Sequence, residues 1–447
     1  MTDIQIHIPH FIYQIAEEIA AIGGTAYAVG GHPRDAYLGK QSDDLDICLT
    51  GIENPDSVPA ILSKFGHCKA VGKNFPIWLL TTPDGEKYDF ALARIESKAG
   101  CSDSRTDFNV IADSSITIED DLARRDLTIN AIAYNIIAGE IIDPFNGVQH
   151  LLEGIAHPVS EAFMEDPIRV IRAARFIPRF GLKPSALLKE YCRSIVPNRK
   201  SLPHEQVGKE LTKLLSQTDT PSMFFRFLKE VDWLRYHFAE LDSLVGLPQE
   251  KQWHPEGDVF EHTMHCMDAA KTPFMRVTML CHDLGKATTT KMLGGKWKAP
   301  GHAKAGVEPT LAMLKRIVFG DNKLQNQITM LVDTHMFHVN EQFTRKAVGR
   351  MINRLASVGL SFDDLVEVCR CDVSGRPPLE GFTPYIGQDI AEQFKVQKGQ
   401  KINPIVTGGM LIPMGYKPGP ELGQIKASLL EEQMAGNLNE NNWREFL

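Results

Sequence analysis

The stretch AYAVGGHPRDAYLG, residues 26–39, followed by DLD at 44–46, decides the architecture of the N-terminal part. Ala26–Val29 reads as a buried strand that stops at Gly30-Gly31. Pro33 suits the first position of a helix running to Leu38, before Gly39. Two glycines at a strand end let a phosphate approach the backbone, and the helix they open offers unpaired N–H groups. Arg34 lies one turn into that helix, placed to pair with phosphate oxygens. Leu45–Leu49 reads as a second strand, on which Asp44 and Asp46 share a face because side chains alternate. Two hard carboxylates on one face suit Mg²⁺ and substrate phosphates, the arrangement of two-metal phosphoryl transfer. Tyr88–Leu92, after the Pro83-Asp84-Gly85 turn, reads as a further strand whose Asp89 offers a third carboxylate.

Working outward, residues 9–22 carry apolar side chains at helical spacing (Phe11, Ile12, Ile15, Ile19, Ile22) and stop at Gly23-Gly24. A mixed α/β head therefore ends near Asn146, and amphipathic helices dominate from about Leu151. Between Glu165 and Lys200 nine basic residues face only Glu165, Asp166 and Glu190, a surplus of six in a chain whose net charge is −8. Histidines become dense near Gly246, helices continue to about Gly375, and the Gly/Pro-rich tail from Pro404 turns helical at Gln424.

At 447 residues the chain has room for roughly three domains. Its 43% hydrophobic and 23% charged residues exclude a disordered, collagen-like or disulfide-scaffold protein. The acidic balance excludes a general nucleic-acid coat, so an RNA partner must meet a local basic patch. Eight cysteines are sparse, and the close pair Cys369/Cys371 has neither zinc nor redox spacing, which points to reduced thiols in the cytoplasm. The N-terminus lacks the basic leader and cleavage site of a signal peptide. No apolar run approaches the roughly 18 residues of a membrane span.

GGHPRDAYLG with DLD resembles the GGxxRDxxLG…DxD signature of the tRNA nucleotidyltransferase and bacterial poly(A) polymerase superfamily. The RRDLTINA element at 124–131, DPFNG at 143–147 and EDPIRVIRAARF at 165–176 follow in that superfamily's order. The resemblance implies that Gly31, Arg34, Arg125 and Asp126 contact the incoming nucleotide. It also implies that Asp166 and Arg169 read the base of CTP and then ATP without a template. Three apart, those two share a helix face, one offering acceptors and the other donors. Arg172 and Arg175 continue the stripe toward triphosphate or RNA backbone. His32-Pro33, Asn74 and Gln206 depart from the superfamily pattern.

In the histidine-rich part, His262, the pair His282-Asp283 and Asp372 form an H…HD…D series around CHDLGK at 281–286. Adjacent His and Asp can both reach one ion at a kinked helix end, and mixed imidazole and carboxylate ligands suit Ni²⁺, Mn²⁺, Co²⁺, Fe²⁺ or Zn²⁺. His302 and His335 could hold a second ion or bind phosphate. The series resembles the HD phosphohydrolases, in which Lys286 would suit a phosphate oxygen. The tail segment GGMLIPMGYKPGPELG at 408–423 resembles the C-terminal segment of many bacterial nucleotidyltransferases, as a helical cap or an RNA contact.

The expected fold is α+β. A nucleotidyltransferase head with a mixed sheet (1–147) precedes an all-helical neck and body (148–245), an all-helical HD domain (246–395) and a helical tail (396–447). The whole resembles class II bacterial CCA-adding tRNA nucleotidyltransferases fused to an HD domain. That resemblance implies addition of CMP, CMP and AMP to the tRNA 3′ end, Asp44, Asp46 and Asp89 as catalytic carboxylates with Mg²⁺, and an HD phosphohydrolase activity. CC-only, A-only or poly(A) addition, a silent head beside an active HD site, and a non-catalytic tRNA-end chaperone are the alternatives. Monomer and homodimer are both compatible with the sequence.

Overall fold

The computed structural model describes residues 6–40, 45–71, 77–98, 108–111, 113–195, 202–317, 319–339 and 342–447. Asp44, Asn74 and Lys200, named above, lie outside the described residues, as does Arg199, one of the nine basic residues. The chain forms two compact units, one of residues 1–210 and 223–236 and one of residues 211–222 and 237–447.

The first unit is built on a seven-stranded sheet. Its strands are β1 (Thr25–Val29), β2 (Asp46–Thr50), β3 (His67–Val71), β4 (Ile77–Thr81), β5 (Lys87–Leu92), β8 (Ala133–Asn135) and β9 (Glu140–Ile142). The hairpin of β6 (Ile95–Lys98) and β7 (Phe108–Ile111) stands apart. The sheet order is β3-β4-β5-β2-β1-β8-β9, with β2–β5 parallel and every other neighbouring pair antiparallel. Alternation sets the faces. Tyr88, Phe90 and Leu92 of β5 point into a core with Ile12, Ile15 and Ile19 of the helix His10–Ala21, while Asp89 points the other way. Cys48 of β2 packs with Val29, Ala93, Ile118 and Leu122 in a second cluster on the opposite face.

Two details differ from expectation in this unit. The helix after β1 begins at Gly31, so Pro33 is its third residue, where the missing N–H costs nothing because first-turn amides have no helical partner. Asp166 lies outside the helix that carries Arg169: that helix spans Ile168–Phe180. Pro167 pushes the residue before it out of the helical region, and Asp166 is extended (φ −120°, ψ 110°).

Beyond the head the regular structure of the described residues is helical except for short strand pairs: β10 (Ile155–Ala156) with β11 (Lys183–Pro184), and β12 (Lys291–Leu293) with β13 (Lys296–Lys298). The first pair corrects the expectation of an all-helical neck and the second that of an all-helical histidine-rich domain. Gly294 and Gly295 have φ of 60° and 74°, the two left-handed positions of a two-residue hairpin turn. In the second unit the helices Val259–Ala269, Pro273–Cys281, Asn322–Thr334 and Phe362–Ser374 surround a core of Met279, Leu331, Leu365 and Val368. The tail helix spans Pro420–Ala435 and starts on its proline, four residues before the predicted Gln424. Trp443 and Leu429 anchor it in a small cluster of its own.

Candidate functional site

In the first unit, Asp46 opens β2 opposite Val29 of β1 on one side and Asp89 of β5 on the other. In-register residues of parallel strands face the same way, so both exposed carboxylates stand beside the turn that ends β1. This donor set suits a hard cation that keeps several sites for water and phosphate. Gly30 makes that turn with φ +71°, and a Cβ there would come within 2.8 Å of the Arg125 guanidinium. The positive φ therefore favours glycine at 30, while Gly31 faces open space apart from Arg34 at 3.5 Å.

The predicted polar residues join into one internal network. Arg34 is buried (4% exposed) and does not stand open to a ligand: its Nε donates to Asp35 Oδ1 at 2.7 Å and its Nη1 to Asn130 Oδ1. Its guanidinium stacks 4.5 Å from the Phe180 ring centroid. Asn130 Nδ2 donates to Asp126 Oδ1 at 2.9 Å, and Arg172 Nε donates to Asp126 Oδ2 at 2.7 Å. Burial opposes ionisation of Asp126, but Arg172, Asn130 and the Leu127 amide outweigh it and hold the carboxyl below the usual carboxylate range. Arg125 bridges Asp121 Oδ2 at 3.1 Å and the Asn130 carbonyl at 3.3 Å. Arg175 is paired with Glu210 at 2.5 Å and lies over Phe176. Arg169, also buried, donates to the Ala162 carbonyl at 2.8 Å, and its amide donates to the Asp166 carbonyl at 3.0 Å. The basic stripe is thus neutralised in part by Asp126, Glu210 and Asp35, carboxylates from outside its own segment. His32, one of the departures, donates from Nε2 to the His7 carbonyl at 2.9 Å and fastens the segment ahead of the first helix.

In the second unit the helix Pro273–Cys281 stops just before His282, which lets His282 and Asp283 turn toward one centre. His262 Nε2 lies 3.0 Å from Asp372 Oδ1 and 3.8 Å from Asp283 Oδ2, and His282 Nε2 lies 3.3 Å from Asp283 Oδ2. On its other oxygen, Asp283 faces His302 Nε2 at 3.3 Å and His335 Nε2 at 3.8 Å. All six predicted residues converge, with Asp283 between the two halves.

Hydrogen bonds fix the imidazole tautomers. A carbonyl only accepts, so the contacts to Met279, Ala299 and Val332 place the proton on Nδ1 of His282, His302 and His335, at 2.6, 2.8 and 2.7 Å. His262 Nδ1 likewise faces Glu256 Oε1 at 2.8 Å. Each Nε2 therefore points inward, the outer-shell pattern of metal-binding histidines. His262, buried but with a carboxylate on each ring nitrogen, holds its proton more tightly than a free imidazole until an ion displaces it. His282 Nε2 is buried with no hydrogen-bond partner. Burial pushes His335 down to about 3, with His282 and His302 adding to it. Asp283 and Asp372 stay well below the usual range: His282 and Lys286 overcome burial for the first, Arg376 and His262 for the second. Burial lowers His282, but Asp283 and Cys266 overcome it and hold it up to about 10. Ion binding here therefore releases protons from His282 and His262 and strengthens with pH. The donor set of imidazoles and ionised carboxylates fits a transition ion.

Two glycines make the convergence possible. A Cβ on Gly285 would lie 2.0 Å from the His302 carbonyl oxygen, and one on Gly375 would lie 2.2 Å from Cys266 Sγ. Sequence reasoning missed these close approaches, and also Glu256, His338 and Arg376. The spacing of Arg376, four after Asp372 and donating to its Oδ2 at 2.8 Å, was the available signal. Lys286 is occupied by Asp283 at 2.7 Å and Gln249 at 2.6 Å. A cavity of about 560 Å³ opens onto Asp283, His302, His335 and Asp372. Among the described residues, no helix is long and apolar enough to cross a membrane.

Residues 26–156 match the Poly A polymerase head domain family. The chain is similar to the multifunctional CCA protein of Laribacter hongkongensis, at 38% identity over 79% of this chain and 86% of that protein. The multifunctional CCA protein of Xanthomonas campestris pv. campestris is 34% identical over 90% of this chain and 96% of its own length. In fold, the chain resembles the Bacillus stearothermophilus CCA-adding enzyme in complex with CTP (TM-score 0.65, 22% identity, 98% of this chain and 97% of that one). It also resembles the Thermotoga maritima CCA-adding enzyme complexed with tRNA (TM-score 0.63, 18% identity, 99% and 96%).

Proposed function

The chain belongs to the family of multifunctional CCA proteins, and we propose that it adds C, C and A to the tRNA 3′ end from CTP and ATP in the cytoplasm. The observation that carries this reading is the in-register pair Asp46/Asp89 beside the Gly30 turn, in a chain that shares most of its length with such proteins. Asp44, Asp46 and Asp89 would hold Mg²⁺, which supplies activation of the terminal hydroxyl and neutralises departing pyrophosphate. The 3′-oxygen attacks the α-phosphorus, the bond to pyrophosphate breaks, and no covalent enzyme intermediate forms. Gly30 gives the triphosphate room beside the backbone. Asp166 and Arg169 select the base, and the Asp35–Arg34–Asn130–Asp126–Arg172 network keeps the selecting helix in register with the sheet.

The convergence of His262, His282, Asp283, Asp372, His302 and His335 favours a second activity in the same chain. The domain from 246 to 395 acts as a metal-dependent phosphohydrolase on phosphomonoesters and 2′,3′-cyclic phosphates. The bound ion supplies Lewis acidity toward a phosphate oxygen. Arg376 and Lys286 hold the two aspartates ionised and oriented.

The test uses tRNAs lacking CCA, CA or only A, each given CTP, ATP or both, with products resolved at single-nucleotide length. Growth by three and arrest on the first substrate supports CCA addition. CC-only, A-only or unlimited A addition corrects the product. No extension beside metal-dependent phosphatase activity moves the function to the histidine site.

A further inference from the structure

The cavity over the histidine–aspartate floor has a basic and aromatic lip. Between Asp283 and Glu308 the chain carries five lysines (286, 291, 296, 298 and 304) and no acidic residue, although its net charge is −8. Three of them sit on the β12–β13 hairpin, where Lys291 pairs with Lys298, Met292 with Trp297 and Leu293 with Lys296. Alternation puts the three lysines on one face of the ribbon and Met292 with Trp297 on the other. All six strand residues are exposed, which is unusual for a ribbon carrying a tryptophan, since a lone hairpin gains little stability by itself.

Trp297 and Lys298 line the cavity, and so does Trp253, which is 63% exposed. Lys296 Nζ donates to Gln252 Oε1 at 3.3 Å, tying the hairpin to the segment that bears Trp253. Single-stranded nucleic acid is held by this combination, cations along the backbone and aromatic faces for the bases. The histidine–aspartate floor below the two tryptophans suits a phosphoester, which an RNA end carries and an acidic peptide does not. The cavity, about 560 Å³, is in the range of small-ligand sites and admits a terminal nucleotide.

We propose that the Lys291–Lys298 hairpin and Trp253 hold the 3′-terminal nucleotides of a single-stranded RNA and present its terminal phosphate to the histidine–aspartate floor. The proposal rests on the phosphohydrolase reading of that floor. It goes beyond that reading by assigning Trp253, Trp297 and the hairpin lysines as the residues that distinguish an RNA end from a small phosphoester.

The test compares three substrates of the full-length, Ni²⁺-loaded protein: an octaribonucleotide ending in a 2′,3′-cyclic phosphate, the cyclic mononucleotide, and glycerol 2-phosphate. Lys291→Gln/Lys296→Gln/Lys298→Gln should raise KM for the oligonucleotide about tenfold and flatten its salt dependence, leaving the mononucleotide within about twofold. Trp253→Ala and Trp297→Ala should raise KM for both nucleotides roughly tenfold and leave glycerol phosphate unchanged. In parallel, the same oligonucleotide with a terminal 4-thiouridine is photocrosslinked to the protein and the peptides are mapped. Crosslinks to Trp253 or to residues 296–298 support the surface. Unchanged KM values with crosslinks only elsewhere overturn it while the hydrolase reading stands. If the wild type hydrolyses none of the substrates, the hydrolase reading falls, and the crosslink map alone decides the surface.

Discussion

His302 and His335 face each other with their Nε2 atoms 3.1 Å apart, and each gives its Nδ1 proton to a main-chain carbonyl. Two imidazole lone pairs at that separation repel unless a cation lies between them and the nearby Asp283 oxygen. Titration with Ni²⁺ under excess Mg²⁺ should therefore return about two sites per chain, and His335→Ala about one. A single site in the wild type would remove the second ion from the reading.

Asp46 and Asp89 are in register across β2 and β5 and exposed on the strands' shared face. Asp46→Asn and Asp89→Asn should each lower nucleotide addition by about a hundredfold or more, with melting temperature unchanged, because each removes charge where phosphate negative charge must be neutralised. Single-turnover extension of tRNA lacking CCA measures this. An Asp89→Asn enzyme at wild-type rate would leave Asp89 as a bystander on its strand.

Arg175 and Glu210 are both nearly inaccessible, at 4% and 9% side-chain exposure. Glu210→Ala should cost about 3–5 kcal/mol, since it takes the neutralising carboxylate from a buried guanidinium. The double variant Arg175→Met/Glu210→Met should recover most of that loss in urea denaturation. A double variant as unstable as the single one would mean that Arg175 is needed for more than its charge balance.

Asp126 has its carboxyl held below the usual range, so its pair with Arg172 stabilises the fold fully above about pH 4 and loses that contribution as pH falls through the folded value. The partner side chain is 37% exposed, which discounts the pair to about 1–2 kcal/mol. Asp126→Asn should thus carry a constant penalty between about pH 5 and 9 that shrinks below about pH 4. A penalty that grows on acidification would contradict the ion pair.

Gly30→Ala should cost about 1–2 kcal/mol from its left-handed backbone alone, and its new methyl would press on Arg125. We expect a larger fall in nucleotide addition than in stability. Thermal melting and tRNA extension on the same sample separate the two effects.

Local chemistry made much of this protein legible from its sequence. A strand stopped by Gly30-Gly31, a strand carrying Asp46, and the apolar periodicity of residues 9–22 each follow from rules that act over a few residues, and the head fold follows from their order. His282-Asp283 at the end of an apolar helix was legible for the same reason. What only the tertiary structure decided is which charges meet. Within 165–200 the arginines outnumber the carboxylates, yet Asp126, Glu210 and Asp35 reach them from 35 to more than 140 positions away. The same holds for His262 with Asp372, 110 positions apart, and for the glycines that let their helices touch. Sequence spacing encodes periodicity along one element, whereas ion pairs and metal ligands form wherever packing brings two elements together, and packing depends on every element at once.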